Sequence, residues 1–147
     1  MRRKDRERDA AFAWEVFEKA PFGVLSLRDG EGGYGVPVSP ARIGEKVYFH
    51  CALAGKKLDC IARWPQASLT VCEVIGPDYF SCKYRSSVLR GEISLVEDEA
   101  EKIAALRAIT QKYCPDDMAD FDQYISKLKA TAVCRMDVAE ITGKERT

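Results

Sequence analysis

The sequence lacks an excess of charge of either sign. Lysine and arginine total 23 residues, aspartate and glutamate total 23, and the formal net charge is zero. A general nucleic-acid-binding protein needs a net basic surface to neutralise phosphates, so we expect no nucleic-acid partner. The basic run RRKDRER near the start alternates with acids, which is typical of a solvated helix face. A small β-barrel module that binds nucleic acid through this run is the alternative left open.

Long apolar runs are also missing. No stretch approaches the roughly 20 apolar residues that a membrane-spanning helix needs. The opening MRRKDRERD is not followed by the apolar region of a secretory signal. With 147 residues, of which 46% are hydrophobic and 31% charged, the chain is predicted to be one globular domain over residues 1–147. We expect it in the cytoplasm, with no membrane partner.

Metal-ligand patterns are absent as well. His50 is the only histidine, and no two cysteines have C-x-x-C spacing, so no zinc-type site is predicted. Several cysteines lie in apolar, strand-like runs such as TVCEV and AVCRM, which favours free, buried, structural thiols in a reducing compartment. The six are Cys51, Cys60, Cys72, Cys82, Cys114 and Cys134.

What is present is a succession of short strands with a few helices. Apolar spacing and breakers predict helices over residues 7–20, 56–64, 97–113 and 120–128, and a loop over 77–82. Strands are predicted over 22–28, 34–40, 41–43, 47–52, 67–76, 84–97 and 131–142. Pro37 cannot donate to a ladder, so its strand should lie at an edge or bulge. The predicted class is α+β, a small antiparallel barrel or curved sheet with helices outside.

The segment YFHCALAGKKLDC contains the most informative junction. Side chains alternate along a strand, so Val47, Phe49 and Cys51 should face the core, while Tyr48 and His50 face the other way.

A glycine and two lysines follow that strand. Gly55 permits a sharp turn into a helix that begins near Lys56 and Lys57. The amides and partial positive charge of a helix N-terminus, reinforced by two ammonium groups, suit a phosphate monoester. Taken alone, the junction is compatible with an anion site or with a solvated loop beside a surface histidine.

The long strand supplies a second group of polar residues. Ser86 should face outward, where its hydroxyl can reach an external ligand, and Arg85 lies beside it. A plain edge-of-sheet serine is the alternative. The opposite, core-facing set is Ser87, Leu89, Gly91, Ile93 and Leu95.

Three segments together resemble a known family. MRRKDRE, YFHCALAGKKLDCI and YRSSVLRGEISLVEDEAEKIAALRAI are similar, in this order, to segments of the pyridoxamine 5′-phosphate oxidase-like FMN-binding split barrels. Within that family they resemble the Nim branch, named for 5-nitroimidazole resistance. The YFH…A..GKKLD block is the most specific of the three.

The resemblance implies a homodimer of six-stranded antiparallel split barrels that binds two FMN molecules in clefts between subunits. It places the phosphate-binding pair at Lys56 and Lys57, a polar contact at Ser86, and a ring-side group at His50. Main-chain contacts to the flavin ring are expected from the strand that contains Val36, Pro37, Val38 and Ser39. Phe49 and Arg85 complete the predicted cofactor-binding residues.

The function implied by this resemblance is that of an FMN-dependent oxidoreductase. Its small-molecule substrate would be a nitroaromatic, a quinone or another small organic acceptor, with His50 as the catalytic proton donor; a pyridoxal-type role is equally compatible. An FMN-binding or carrier protein without turnover of its own is the alternative. The sequence contains no G-x-G-x-x-G run, so a nicotinamide donor would have to bind transiently.

Overall fold

The computed structural model describes residues 2–30, 32–128 and 130–147, except for the side chain of residue 128. This part of the chain forms eight strands, four α-helices and two short 3-10 helices, Lys4–Arg6 and Pro115–Asp120. The α-helices are α1 (Ala10–Lys19), α2 (Lys56–Arg63), α3 (Glu99–Tyr113) and α4 (Phe121–Leu128). The strands are β1 (Glu7–Arg8), β2 (Gly23–Asp29), β3 (Gly32–Val38), β4 (Ala41–Ile43), β5 (Lys46–Cys51), β6 (Gln66–Asp78), β7 (Ser81–Leu95) and β8 (Ala132–Arg146).

The strands form one antiparallel sheet whose two edges are consecutive in the chain. The order is β3-β2-β6-β7-β8-β5-β4, with β1 added beside β8. Val38 ends β3 and Ala41 begins β4, and the intervening residues reach at most about 11 Å. The sheet must therefore curl until its edges approach each other. Since no pairing joins β3 to β4 in the described ranges, the barrel is split there.

The predicted fold class is confirmed: the protein is an α+β split barrel with flanking helices. The strand count exceeds the expected six because β1 and β4, of two and three residues, join the same sheet. The expected edge position of Pro37 is also confirmed, since β3 is a terminal strand. In the described ranges, no helix combines the length and apolarity that crossing a bilayer requires.

Two hydrophobic clusters lie on opposite sides of β5. The first fills the curled sheet beneath α1 and contains Val47 and Phe49. The second lies under α3 and α4 and contains Tyr48, whose hydroxyl donates to Glu101 at 2.8 Å. The predicted alternation of this strand is thus confirmed, with both faces covered. Packing on both sides fixes the strand that presents His50.

The N-terminal helix begins later than predicted. Instead of starting at residue 7, α1 begins at Ala10, with the Asp9 carboxylate accepting from the Phe12 amide at 2.8 Å. Glu7 and Arg8 form β1 against the end of β8. A local apolar pattern contains no information about this long-range pairing. Arg8 also donates to Glu145 at 2.9 Å, so this basic residue is paired with an acid.

The predicted loop over residues 77–82 is wrong. β6 and β7 continue their pairing to Asp78 and Ser81, so only Tyr79 and Phe80 form the turn. Phe80 adopts a φ of 52°. Cross-strand hydrogen bonds outweigh the loop tendency of the Gly-Pro-Asp sequence.

Two burial expectations are wrong in part. Leu95 is 50% exposed, because β7 leaves the core at its end. All six cysteines are free, as expected, but only Cys60 and Cys134 are buried. Cys51 is half-buried, and the remaining three, Cys72, Cys82 and Cys114, are exposed.

Candidate functional site

Ser39 and Pro40 connect β3 to β4 across the split of the barrel, and α3 holds this connection in place. The carbonyl oxygen of Pro40 accepts hydrogen bonds from the Lys112 ammonium at 3.1 Å and from the Tyr113 hydroxyl at 2.9 Å. Lys112 also donates to the Phe17 carbonyl at 3.1 Å. Burial lowers the pKa of Lys112, an effect that Glu18 opposes. These contacts fix the position of Ser39, the residue before Pro40.

The N-terminus of α2 lies next to this connection. Gly55 occupies the N-cap with a φ of 135°, a conformation that favours glycine, and offers no side-chain cap to the first amides of the helix. Lys56 and Lys57 are the first two helical residues. Backbone N–H groups, helix dipole and side-chain cations therefore coincide at one point.

The two lysines have different surroundings. Lys56 Nζ contacts Asp29 Oδ2 at 2.6 Å and lies 4.8 Å from the centre of the Tyr34 ring. Lys57 Nζ lies 5.7 Å from the centre of the Phe49 ring, and in the described part of the chain it has no carboxylate partner. Lys57 is thus the lysine that remains available to an external anion.

A small cavity of about 240 Å³ brings together several predicted site residues. Lys57 and His50 line it from α2 and β5, and the end of β3 supplies the opposite wall. Its lining consists of Phe22, Pro37, Val38, Ser39, His50 and Lys57. Because β3 is an edge strand, its unpaired side leaves main-chain donors and acceptors free at this wall.

His50 is neutral at pH 7 in this environment. Partial burial and then the nearby Lys57 ammonium lower its pKa from the ordinary 6.5. A neutral imidazole offers one donor and one acceptor nitrogen. At this position it can hold a polar ligand group by hydrogen bonding, and its protonated form becomes common only in acid.

A larger cavity of about 680 Å³ adjoins the first one, and Ser39 and His50 line both. Its remaining walls come from the end of α3, the 3-10 helix Pro115–Asp120 and the start of α4. The residues from these elements are Ile109, Thr110, Tyr113, Cys114, Asp117, Asp120, Phe121 and Tyr124. His50 therefore stands between an anion-type cleft and an aromatic, acidic one.

Comparison with known proteins identifies the family. The family model described as pyridoxamine 5′-phosphate oxidase matches residues 9–145, which is almost the whole chain. The chain belongs to this pyridoxamine 5′-phosphate oxidase family. A search of curated protein sequences finds no match.

Solved structures of related fold support the assignment. A candidate 5-nitroimidazole antibiotic resistance protein from Bacteroides thetaiotaomicron has a TM-score of 0.80 at 22% identity, over 94% of this chain and 84% of that one. A flavocytochrome from Azotobacter vinelandii has a TM-score of 0.82 at 24% identity, over 100% and 72%. An FAD- and heme-binding protein from Mycobacterium smegmatis has 0.81 at 19%, over 95% and 73%. At these identities the likeness shows a shared fold.

Not all predicted site residues of this family member meet at the split. Phe49 is 1% exposed and supports Lys57 from inside the barrel. Val36 packs partly against the core. Arg85 lies at another place, 3.3 Å from Glu15, 3.5 Å from Glu145 and 4.6 Å from the Phe12 ring centre. Its charge is already balanced there.

Ser86 also lies away from both cavities. It is half-buried on β7, where its ladder partners are Cys72 and Lys144. The next residue, Ser87, is fully buried, so Ser86 faces outward as predicted. Its role, like those of the other predicted ligands, stays a prediction.

The sequence pattern does not predict Phe22 as a wall of the smaller cavity, since it indicates only a strand there. It does not predict the walls of the larger cavity either, because the stretch YCPDDMADFDQY indicates only helices and the segment between them. The available signal is a set of aromatic residues on both sides of Pro115, with aspartates after it, directly following a regular amphipathic helix. Nothing local indicates that this stretch packs beside β5.

Proposed function

We propose that this protein binds FMN at the split of the barrel and acts as an oxidoreductase on a small organic acceptor. The observation that carries the proposal is the meeting of Lys57, His50 and the free edge of β3 in one cavity. Membership of the pyridoxamine 5′-phosphate oxidase family supports a flavin, as do the flavin-binding proteins of similar fold.

The residues present fit the phosphate end of FMN. The phosphate monoester carries between one and two negative charges near pH 7. The Lys57 ammonium has no carboxylate partner in the described ranges, and the first amides of α2 lack a side-chain cap. The main chain of β3 would hold the ring edge. Lys56 would join only if its contact with Asp29 opened.

When bound, FMN would supply the electron transfer. His50 would hold the acceptor by a hydrogen bond from or to a ring nitrogen, because its lowered pKa keeps the imidazole neutral at pH 7. Transfer of a proton from that nitrogen would become easier in mild acid. Ser39 would offer its hydroxyl from the opposite wall. A nitroaromatic or quinone is the proposed acceptor class.

A second copy of the chain would complete the site. The cavity beside Lys57 is about 240 Å³, below the roughly 300–1,000 Å³ that ligand sites of this size usually occupy. Arg85 and Ser86 line neither cavity of their own subunit. We therefore propose a homodimer in which outward-facing Ser86 reaches a flavin held mainly by the other subunit.

Light scattering at micromolar concentration should give twice the chain mass; a monomer that retains flavin would contradict this arrangement.

The test of flavin binding is the visible absorbance spectrum of the purified protein, repeated after addition of FMN and gel filtration. A flavin band that co-elutes with the protein is the expected result. Flavin released by heat and identified by mass spectrometry separates FMN from FAD. A featureless spectrum in both runs would refute the proposal.

Turnover is tested separately from binding. The flavin-loaded protein is reduced chemically without air, and its reoxidation is followed with a panel of nitroaromatic and quinone acceptors. Reoxidation by one class is expected. A yellow protein that reoxidises no faster than free FMN with every acceptor would be a flavin-binding or carrier protein instead.

A further inference from the structure

We propose that the larger cavity is the acceptor pocket and that it selects planar aromatic compounds that carry a positively charged group. This inference rests on the proposed function, because it assigns the flavin to the neighbouring cleft beside Lys57. It concerns residues of α3, the 3-10 helix and α4.

The size and position of the cavity suit a small organic molecule. Its volume is about 680 Å³, within the range of pockets that enclose small-molecule ligands. Ser39 and His50 line this cavity as well as the Lys57 cleft. A compound bound here would therefore lie directly beside a ligand of the smaller cleft.

Aromatic rings form much of the wall. Tyr113 comes from the end of α3, Phe121 and Tyr124 come from α4, and all three line the cavity. Phe121 is 2% exposed, whereas Tyr124 is 47% exposed. Phe121 is thus a buried part of the wall, and Tyr124 is an exposed part of it. Flat aromatic ligands gain from stacking or edge contacts with such rings.

The charges that line the cavity are negative. Asp117 and Asp120 both belong to the lining, and within the described ranges neither has an ion-pair partner. Both side chains are exposed, so each attracts a ligand cation across water with roughly 1 kcal/mol at contact distance, and the two attractions act on the same ligand.

The lysines and arginines of α3 and α4 do not line the cavity. Arg107 contacts Asp122 at 2.6 Å, and Lys112 is held by the carbonyl oxygens of Phe17 and Pro40. Lys127 lies 4.8 Å from the centre of the Tyr124 ring without joining the lining. His50 is the remaining titratable nitrogen of the wall. A cationic ligand would therefore meet two carboxylates and no ammonium of the lining.

The test compares three probes of nearly equal shape: 4-nitrobenzylamine, which is cationic at pH 7, 4-nitrobenzyl alcohol, which is neutral, and 4-nitrobenzoate, which is anionic. Calorimetric titration into protein with and without FMN gives their affinities. The amine should bind about tenfold more tightly than the alcohol, and the benzoate more weakly than either. Equal affinity for all three probes would overturn the inference.

Two sets of variants locate the effect. Asp117→Asn combined with Asp120→Asn should remove the roughly tenfold advantage of the amine and leave the alcohol unchanged. Asp116→Asn is the matched control, because Asp116 is exposed in the same 3-10 helix but does not line the cavity. Loss of the advantage in the control, or its retention in the double variant, would contradict the assignment.

Cysteine alkylation gives a readout that needs no turnover. Exposed Cys114 lines the cavity, whereas exposed Cys82 lies in β7 outside it. Bound 4-nitrobenzylamine should slow iodoacetamide alkylation of Cys114 severalfold and leave Cys82 unaffected, as measured by peptide mass spectrometry. Equal rates with and without the probe would place the amine elsewhere.

The two proposals fail in distinguishable ways. If FMN displaces the amine competitively, the larger cavity holds the flavin and this inference is wrong while flavin binding stands. If the protein binds the amine with the expected charge preference but takes up no flavin, the proposed function fails and the cavity is a cation-selective aromatic site alone.

Discussion

Lys56 and Asp29 form an ion pair with 2.6 Å between Nζ and Oδ2, while the adjacent Lys57 lines a cavity beside His50. Two consecutive lysines that look equivalent in the sequence thus make different contacts. One ties the start of α2 to the end of β2. The other presents its charge to the split of the barrel.

This division predicts unequal effects on FMN binding. Lys57→Ala should weaken FMN affinity by about 1.5–3 kcal/mol, the usual contribution of a charge-assisted hydrogen bond. Lys56→Ala should cost less, because Asp29 already holds its ammonium. Fluorescence titration of apoprotein with FMN measures both. Equal losses would mean that the Lys56–Asp29 contact opens on binding, and unchanged affinity in the double variant would place the phosphate elsewhere.

A second prediction concerns the single imidazole. Because partial burial and the Lys57 charge both lower the pKa of His50, its NMR titration midpoint should lie below 6.5. Lys57→Met should raise the midpoint only in part, since burial, the larger cause, remains. Lys56→Met is the control and should leave it in place. A midpoint at or above 6.5 in the wild-type protein would contradict this account of the site.

The same shift has a consequence for stability. The pKa of His50 in the folded protein is lower than 6.5, so the unfolded chain binds its proton first as the pH falls. The contribution of the neutral imidazole is therefore complete above about pH 6.5 and is lost as the pH falls through the folded pKa.

A third prediction tests the pairing of β7 with β8. A Cβ at Gly91 would overlap the main-chain carbonyl of Asp137, at the point where the register of the two strands shifts. Gly91→Ala should lower the free energy of unfolding by about 3 kcal/mol, because backbone atoms cannot move aside as a side chain can. Urea unfolding measures the change.

Gly33→Ala is the matched control for that substitution. Gly33 also lies in a strand, but a Cβ there would meet no atom within 4 Å. Its unfolding midpoint should stay within experimental scatter of the wild type. Similar losses at both positions would indicate that the replacement of a strand glycine, and not the contact with Asp137, causes the effect.

Local patterns predicted those features whose causes are themselves local. The period-2 pattern placed Val47 and Phe49 opposite Tyr48 and His50, because strand geometry imposes it. Pro37 indicated an edge strand because its missing N–H acts at that residue. Gly55 and the lysines indicated the start of α2 for a similar reason.

Features that depend on distant partners could not be predicted in this way. Glu7 and Arg8 form a strand only because the end of β8 lies beside them. The extension of β6 past Pro77 depends on its pairing with Cys82. The larger cavity brings residues of the YCPDDMADFDQY stretch next to His50, a relationship that only tertiary packing creates. That the predicted site residues bind flavin stays a prediction, which the FMN titrations of the lysine variants test.

The last prediction concerns the connection that holds the split together. Three hydrogen bonds from Lys112 and Tyr113 end on the carbonyls of Phe17 and Pro40. Tyr113→Phe removes one of them and should destabilise the protein by about 1 kcal/mol, while Lys112→Met removes two charge-assisted bonds and should cost about 2 kcal/mol or more.

Since Pro40 follows Ser39 at the wall shared by both cavities, FMN affinity should fall in the same order. Lys83→Met, at an exposed position in β7, is the control for loss of a lysine. Lower stability with unchanged FMN affinity in both variants would show that the connection supports the fold without positioning the flavin site.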